Sequence, residues 1–277
     1  MANTTLLGES IRVVGSNFAG AALKLNAESS SIAGSYDVEY LMSGSVLGLI
    51  KLKEDFADVA FVLQTSDNHP SLEGLTSIPL GFWGIYFAVA DGNPSSEVRM
   101  TDLFEILRKT RDGLKSEWGP LLPGEPKWTN RLIFVTFDLK ESDPSYSIFL
   151  DRFFDKVNPD NFSSMGEKIE NPYLSGVSNL LVMSRLPKTG SGLRVLSLIQ
   201  EGQSVGFPPS PESMFFADYP LHTRLLLVVR DPKDTKVRAF VRDFFEKNRL
   251  ELLLQAGLVS APENVQKQTL LEFDLDF

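Results

Sequence analysis

Three short stretches carry the residue types that an anion site needs. Ser16 and Asn17 follow one apolar run, Ser43-Gly44-Ser45 a second, and Ser142 to Ser147 a third. Each precedes a segment with helical spacing. The first N–H groups of a helix have no intrahelical acceptor and lie at the positive end of its dipole, and hydroxyls add donors. That chemistry suits a small anion or polar solute. For any one stretch, helix capping alone is the better reading. The case for a shared site is the recurrence, because in open α/β sheets such loops converge at the carboxyl ends of the strands.

Other chemistries are poorly supported. His69 precedes Pro70 and His222 follows Leu221, with no paired spacing that would hold a metal. Lys188-Thr-Gly-Ser-Gly192 lacks phosphate-loop spacing and reads as a turn, and no Gly-x-Ser-x-Gly nucleophile elbow occurs. Asp55 and Asp58 read as residues at an element boundary, not a catalytic pair. The chain has no cysteine, which removes disulfides, thiolate metal sites and thiol nucleophiles. Trp83 reads as core, whereas Trp118 and Trp128, in a Gly/Pro-rich stretch, are candidates to line a cleft. No catalytic residue, metal site or cofactor is assigned.

The formal net charge of −9 disfavours a nucleic-acid partner. No apolar run reaches the ~20 residues that span a bilayer. Met1-Ala-Asn-Thr4 lacks the pattern of an export signal. The 277 residues suffice for two lobes, and 20 phenylalanines supply large apolar cores.

The elements that must position the hydroxyl stretches alternate. Ile11–Val14 reads as a strand and Ala19–Ala27 as a helix; Tyr36–Leu41 is a strand and Val46–Leu52 a helix; Ala57–Val62 is a strand. This order predicts parallel pairing with helical crossovers. The apolar run Ile78–Ala90 ends in Asp91-Gly-Asn-Pro94 turn chemistry. Later strands are expected over 132–137, 178–183, 194–199 and 224–229. Helices are expected from Thr101, from Asp143-Pro144, and over 235–256 with a break near Asn248 and a stop at Gly257. Turns near 89–91 and 215–220 divide the chain into a discontinuous lobe, 1–89 plus 215–277, and an inserted lobe, 90–214.

Gly15-Ser-Asn-Phe18, Ser43-Gly-Ser-Val-Leu-Gly48 followed by Phe56-Ala-Asp-Val-Ala-Phe61, Ile78-Pro-Leu80, Tyr219-Pro-Leu221 and Gln255-Ala-Gly-Leu-Val259 occur in this order. Together they resemble the phosphate-binding proteins of ABC phosphate importers. The resemblance implies a two-lobed α/β fold of the type II periplasmic-binding-protein class, with mixed, mostly parallel sheets and helices on both faces. It implies an extracytoplasmic solute-binding protein, its export signal removed, that captures phosphate or a related oxyanion between the lobes. The partner would be the membrane permease of the importer, and uptake would need no catalysis. The implied ligand residues are Ser16, Asn17, Phe18, Ser43, Gly44 and Ser45, with Ser145 and Lys140 from the second lobe. The chain departs from the family in three ways. Leu63 stands near the family's proton-accepting aspartate, and Asp67 replaces it only if the register slips. Asp143-Pro144-Ser145 replaces a Ser-Gly-Thr helix start, so the proline removes an N–H. The nearest cation there is Lys140, with Arg131 further away. These departures motivate a second reading, a non-transport sensor or interaction module on the same fold. Enzymes of that fold that tether a cofactor through cysteine are a poor match to a chain without one.

Overall fold

The computed structural model describes residues 10–23, 31–33, 36–64, 71–139, 144–153, 176–246, 249–271 and 273. The chain divides into two units, Met1–Phe82 with Arg224–Phe277, and Trp83–Thr223. Turn chemistry alone puts the divisions at 89/90 and 214/215. The chain leaves the first unit inside the long apolar run, where residue type does not change.

The first unit is built on a seven-stranded sheet in the order β14-β5-β13-β4-β1-β3-β2. Its strands are β1 (Ser10–Gly15), β2 (Ser31–Ala33), β3 (Tyr36–Leu41), β4 (Val59–Gln64), β5 (Thr76–Gly84), β13 (His222–Val229) and β14 (Val259–Ser260). Parallel pairing holds at its heart, where β1 lies between β3 and β4. β13 brings the chain back into the unit and pairs antiparallel with β4. β14 pairs antiparallel with β5, and β2 with β3.

Side chains alternate across a strand. Val14, Ala60, Val62, Leu226 and Val228 therefore share one face, where they pack with Leu49 and Leu52 of α2 (Ser45–Lys53). On the other face Phe61 meets Phe244 of α6 (Thr235–Glu246), with ring centroids 5.7 Å apart. Helices thus cover both faces. α1 (Asn17–Ala22), α7 (Arg249–Gln255) and α8 (Glu263–Leu271) complete the described helices of this unit. Gly257, at φ 94°, ends α7 as its position in the sequence predicts; Gly257 N–H donates to Leu254 and Leu258 N–H to Leu253.

The second unit has a five-stranded sheet, β11-β6-β10-β9-β8, and a two-stranded one, β12-β7. These strands are β6 (Tyr86–Ala90), β7 (Glu97–Arg99), β8 (Ser116–Glu117), β9 (Leu132–Asp138), β10 (Asn179–Met183), β11 (Leu193–Val195) and β12 (Ser197–Ile199). β9–β10 and β7–β12 are parallel, whereas β6 is antiparallel to β10 and β11. Parallel pairing, as predicted from strand–helix alternation, is found in β3–β1–β4, β9–β10 and β7–β12, whereas β2–β3, β4–β13, β5–β14, β6–β10, β6–β11 and β8–β9 are antiparallel. Helices α3 (Met100–Arg111), α4 (Pro144–Phe153) and α5 (Pro211–Phe215) belong to this unit. Phe87, Phe149 and Phe153 are buried and stack with one another at centroid distances of 5.3–5.8 Å.

The tightest packing is at the end of β1. Gly15 has φ 124°, and a Cβ there would lie 2.1 Å from the Phe61 carbonyl oxygen. A Cβ on Gly48 would in turn lie 2.6 Å from the Gly15 Cα. Both neighbours are backbone and cannot yield. Gly15→Ala should therefore destabilise the protein by roughly 3 kcal/mol or more, through strain at a special backbone position combined with overpacking. Urea unfolding of the two proteins measures this; a loss under about 1 kcal/mol would show that the turn can relax.

Candidate functional site

The glycine cradle brings two helix starts to the carboxyl edge of β1 and β3. Ser16 N–H donates to the Phe61 carbonyl at 2.8 Å, and Gly44 N–H donates to the Gly15 carbonyl at 2.8 Å. The second bond ties the loop before α2 to the loop before α1. All six first-unit candidates lie in these two loops or the helix turns they lead into: Ser16, Ser43 and Gly44 in the loops, Asn17 and Phe18 at the start of α1, and Ser45 at the start of α2.

Their roles differ. Ser16 is buried, caps α1, and accepts from Ala19 N–H at 3.4 Å, so its side chain serves the helix. Asn17 and Ser43 are exposed, and Phe18 is half-buried. In α1 the first intrahelical bond runs from Gly20 N–H to Ser16, and in α2 from Gly48 N–H to Gly44. Helix geometry thus leaves the N–H groups of Asn17 and Phe18, and those of Ser45, Val46 and Leu47, without an intrahelical acceptor. Gly44 caps α2 at φ 107° and has no side chain to occupy those donors. Ser45 Oγ accepts from Leu63 N–H at 2.9 Å and still carries a proton to donate. The edge is therefore rich in donors and suited to an anion.

β4 and β13 extend this edge. Leu63, bound to Ser45, is followed by Gln64, which pairs in register with Arg224. Arg224 is half-buried and lies over the Phe82 ring, 5.7 Å from its centroid. Residue type and spacing do not nominate Gln64 or Arg224.

In the second unit, Ser145 lies in the first turn of α4 with no exposed surface, and its Oγ has no hydrogen-bond partner. Lys140, Asp143, Asp67 and His69 lie outside the described residues. Arg131 lies over the ring of Trp128 at 4.6 Å. Trp118 and Trp128 are buried and pack edge to face at 6.0 Å, and the Trp118 indole N–H donates to the Ser178 carbonyl at 3.0 Å. These tryptophans hold the loop together and do not line an open surface. His222 Nδ1 lies 2.6 Å from the Tyr219 carbonyl, inside a turn. Lys188–Gly192 forms the turn it was read as, with Gly190 and Gly192 at positive φ.

The opposite edge of the first unit has a different chemistry. Asp58, just before β4, has a largely buried carboxylate that accepts from the Arg12 backbone N–H at 2.7 Å and from Arg12 Nε at 3.2 Å; Lys236 Nζ lies 3.5 Å away. Asp55 pairs with Arg230. Both aspartates are ion-pair partners at an element boundary, as read. A groove of about 490 Å3 between α2 and β3, lined by Leu41, Leu47, Ile50 and Phe56 among others, is mainly apolar and gathers no catalytic constellation.

No family model matches the chain, and no curated protein matches it. Solved structures do. A possible phosphate binding protein from Planctomyces limnophilus is 14% identical over 97% of this chain and 98% of its own, with a TM-score of 0.61. PstS from Borrelia burgdorferi is 16% identical over 92% and 99%, with a TM-score of 0.59. An ABC-type phosphate transport receptor from Vibrio cholerae is 16% identical over 91% and 99%, with a TM-score of 0.54. The chain therefore has the α/β fold of type II periplasmic binding proteins. At such identities the likeness is one of fold; of the three structures, one is described as a possible phosphate binding protein and one as a phosphate transport receptor.

Burial raises the pKa of Asp58, but the hydrogen bonds from Arg12 and the charge of Lys236 outweigh it, and the net direction is down. A folded-state pKa below the unfolded one stabilises the fold above the ordinary carboxylate range, and this contribution is lost as pH falls through the folded value. Asp58→Asn should therefore lower Tm near neutral pH, with the gap to wild type narrowing as pH falls below about 4. A gap that stays constant from about pH 7 to about pH 3 would rule out this linkage.

Proposed function

We propose that this protein is an extracytoplasmic solute-binding protein that captures a small oxyanion, phosphate foremost, and delivers it to the membrane permease of an ABC importer. The observation that carries the reading is the tether from Gly44 N–H to the Gly15 carbonyl, which sets the N-termini of α1 and α2 side by side. Two helix starts with convergent N–H groups suit a compact anion better than a neutral solute. The likeness of fold to structures described as phosphate-binding supports the choice of phosphate.

In this reading the N–H groups of Asn17 and Phe18 donate from one helix and those of Ser45, Val46 and Leu47 from the other. Ser45 Oγ adds its proton, held in direction by the bond it accepts from Leu63 N–H. Ser16 shapes the loop and does not touch the ligand. Every group named is a donor to an intact anion. None is placed to attack it or to take a proton from it, so the act is capture and release without catalysis.

Isothermal titration of the ligand-stripped protein with inorganic phosphate tests this. Saturable binding, micromolar or tighter, is expected; no heat and no thermal shift would remove phosphate as the ligand. Ser45→Ala should weaken binding about tenfold and cost about 1 kcal/mol of stability, because Leu63 N–H loses its acceptor. Lower stability with unchanged affinity would show that the hydroxyl is structural only.

A further inference from the structure

The sheet of the first unit is covered unevenly. α2 packs on β1 and β4. Asp37, Glu39 and Leu41 of β3 stand beside Ser10, Arg12 and Val14 of β1 in parallel register, and Val14 lies in the core under α2, so all three share the α2 face. Yet Asp37, Glu39 and Leu41 are exposed. One face of β3 is therefore bare, next to the helix that covers its neighbour.

The helix is bare on the adjoining side. Among the described residues, five of the twelve large apolar side chains that are exposed fall between positions 41 and 56: Leu41, Val46, Leu47, Ile50 and Phe56. Exposed apolar residues scattered singly need no account, but a contiguous group marks an interaction surface. All but Val46 line the groove of about 490 Å3 between α2 and β3.

Charge narrows what fits there. α2 carries Lys51 and Lys53 and no acidic residue, whereas the bare face of β3 carries Asp37 and Glu39. Lys53 donates to the Ser71 carbonyl, and Arg12, which lines the groove with Glu39, is bound to Asp58. The side chains of Asp37, Glu39 and Lys51 make no hydrogen bond or ion pair among the described residues.

The two surfaces also match in height. α2 starts level with the end of β1, where Gly44 N–H reaches the Gly15 carbonyl, and runs down toward the amino ends of the strands. At about 1.5 Å per helical residue and about 3.3 Å per strand residue, Leu47 and Leu41 both lie about 3 Å below that level, and Lys51 and Glu39 both lie roughly 9–10 Å below it. A two-fold axis parallel to the strands preserves every height. It sets two α2 helices side by side at about 10 Å, close to two strand widths, which brings each over the bare β3 of the other copy.

We propose that the face formed by α2 and β3 is a dimer interface, and that its occupant is α2 of a second copy of this chain. Val46, Leu47 and Ile50 of each copy cover Leu41 of the other, and Lys51 of each pairs with Glu39 of the other. An isologous contact needs both complementary surfaces on one chain, and this chain carries both. The same rotation keeps the carboxyl edges of the two sheets on one side. The inference goes beyond the oxyanion reading and stands without it. The patch is small, so a Kd of about micromolar or weaker is expected.

Sedimentation velocity of the full chain, from about 5 µM to about 500 µM, tests this. Wild type should show a monomer–dimer equilibrium. Ile50→Glu, at an exposed position, should keep its Tm and associate at least tenfold more weakly. Lys51→Glu and Glu39→Lys should each weaken association as well, and the double variant should recover it to within about threefold, because the pair is restored with its signs exchanged. Val205→Glu, at an exposed apolar position of the second unit, should change nothing. A wild type that stays monomeric throughout would overturn the proposal and leave the face to a partner of other chemistry. A dimer that survives Ile50→Glu, or that Val205→Glu weakens equally, would overturn it too. Should Ile50→Glu not fold, the charge variants decide: single variants that dimerise like wild type, or a double variant that does not recover, would sink it.

Discussion

Everything at the candidate site depends on backbone touching backbone where β1 ends. The Phe61 carbonyl occupies the space that a Gly15 Cβ would need, and Gly48 brings α2 within contact of the Gly15 Cα. With side chains at either position, α2 would stand off the sheet and the loop before it would not reach the Gly15 carbonyl. The donors of α1 and α2 would then face different volumes. Close approach, and not any one polar residue, makes two helix starts into one surface. The positive φ of Gly15 and Gly44 directs the chain away from the strand ends at the required angle.

The two ends of the same strands carry opposite chemistry. At the amino end of β4, Asp58 gathers Arg12 and Lys236, a carboxylate satisfied by cations from two other elements. At the carboxyl end, Leu63 and Gln64 border the α2 start and Arg224. Between them lies the apolar layer of Val14, Ala60, Val62, Leu226 and Val228 under α2. A low-dielectric layer of this kind keeps the two charge systems apart, so acidic groups at one end do little to repel an anion at the other. A net charge of −9 is thus compatible with a locally positive edge.

How far the sequence reveals this follows from what kind of signal each feature leaves. The first-unit loops were legible as helix starts because Gly, Ser and Asn after an apolar run favour turns and caps, and Gly257 because a helix stop favours glycine. The run Ile78–Ala90 was not resolved: it forms two strands, β5 and β6, in different sheets, with Ile85 between them, and continuous apolar character hides a change of sheet. The expected strand 194–199 likewise divides at Leu196 into β11 and β12. Short elements such as β7, α5 and β14 have too few residues to show a period. The helix α8 was missed because its apolar stripe is weak, and a buried Gln266 holds it by donating to the Pro79 and Leu80 carbonyls. The indoles of Trp118 and Trp128 pair with each other, a partnership that neither position announces.

A site assembled from main-chain donors places light demands on side-chain identity. It needs glycine where backbones meet, a small or absent side chain at each helix start, and strands of the right order; beyond that, N–H groups come with any residue but proline. This is why a chain can share a fold at 14–16% identity with other structures while its polar side chains differ. Side chains at the rim are free to vary in charge and donor direction without disturbing the cradle. On this view the backbone geometry comes first, and Ser45, whose Oγ accepts from Leu63 N–H, is tied to that geometry by strand β4 as well as by its own helix.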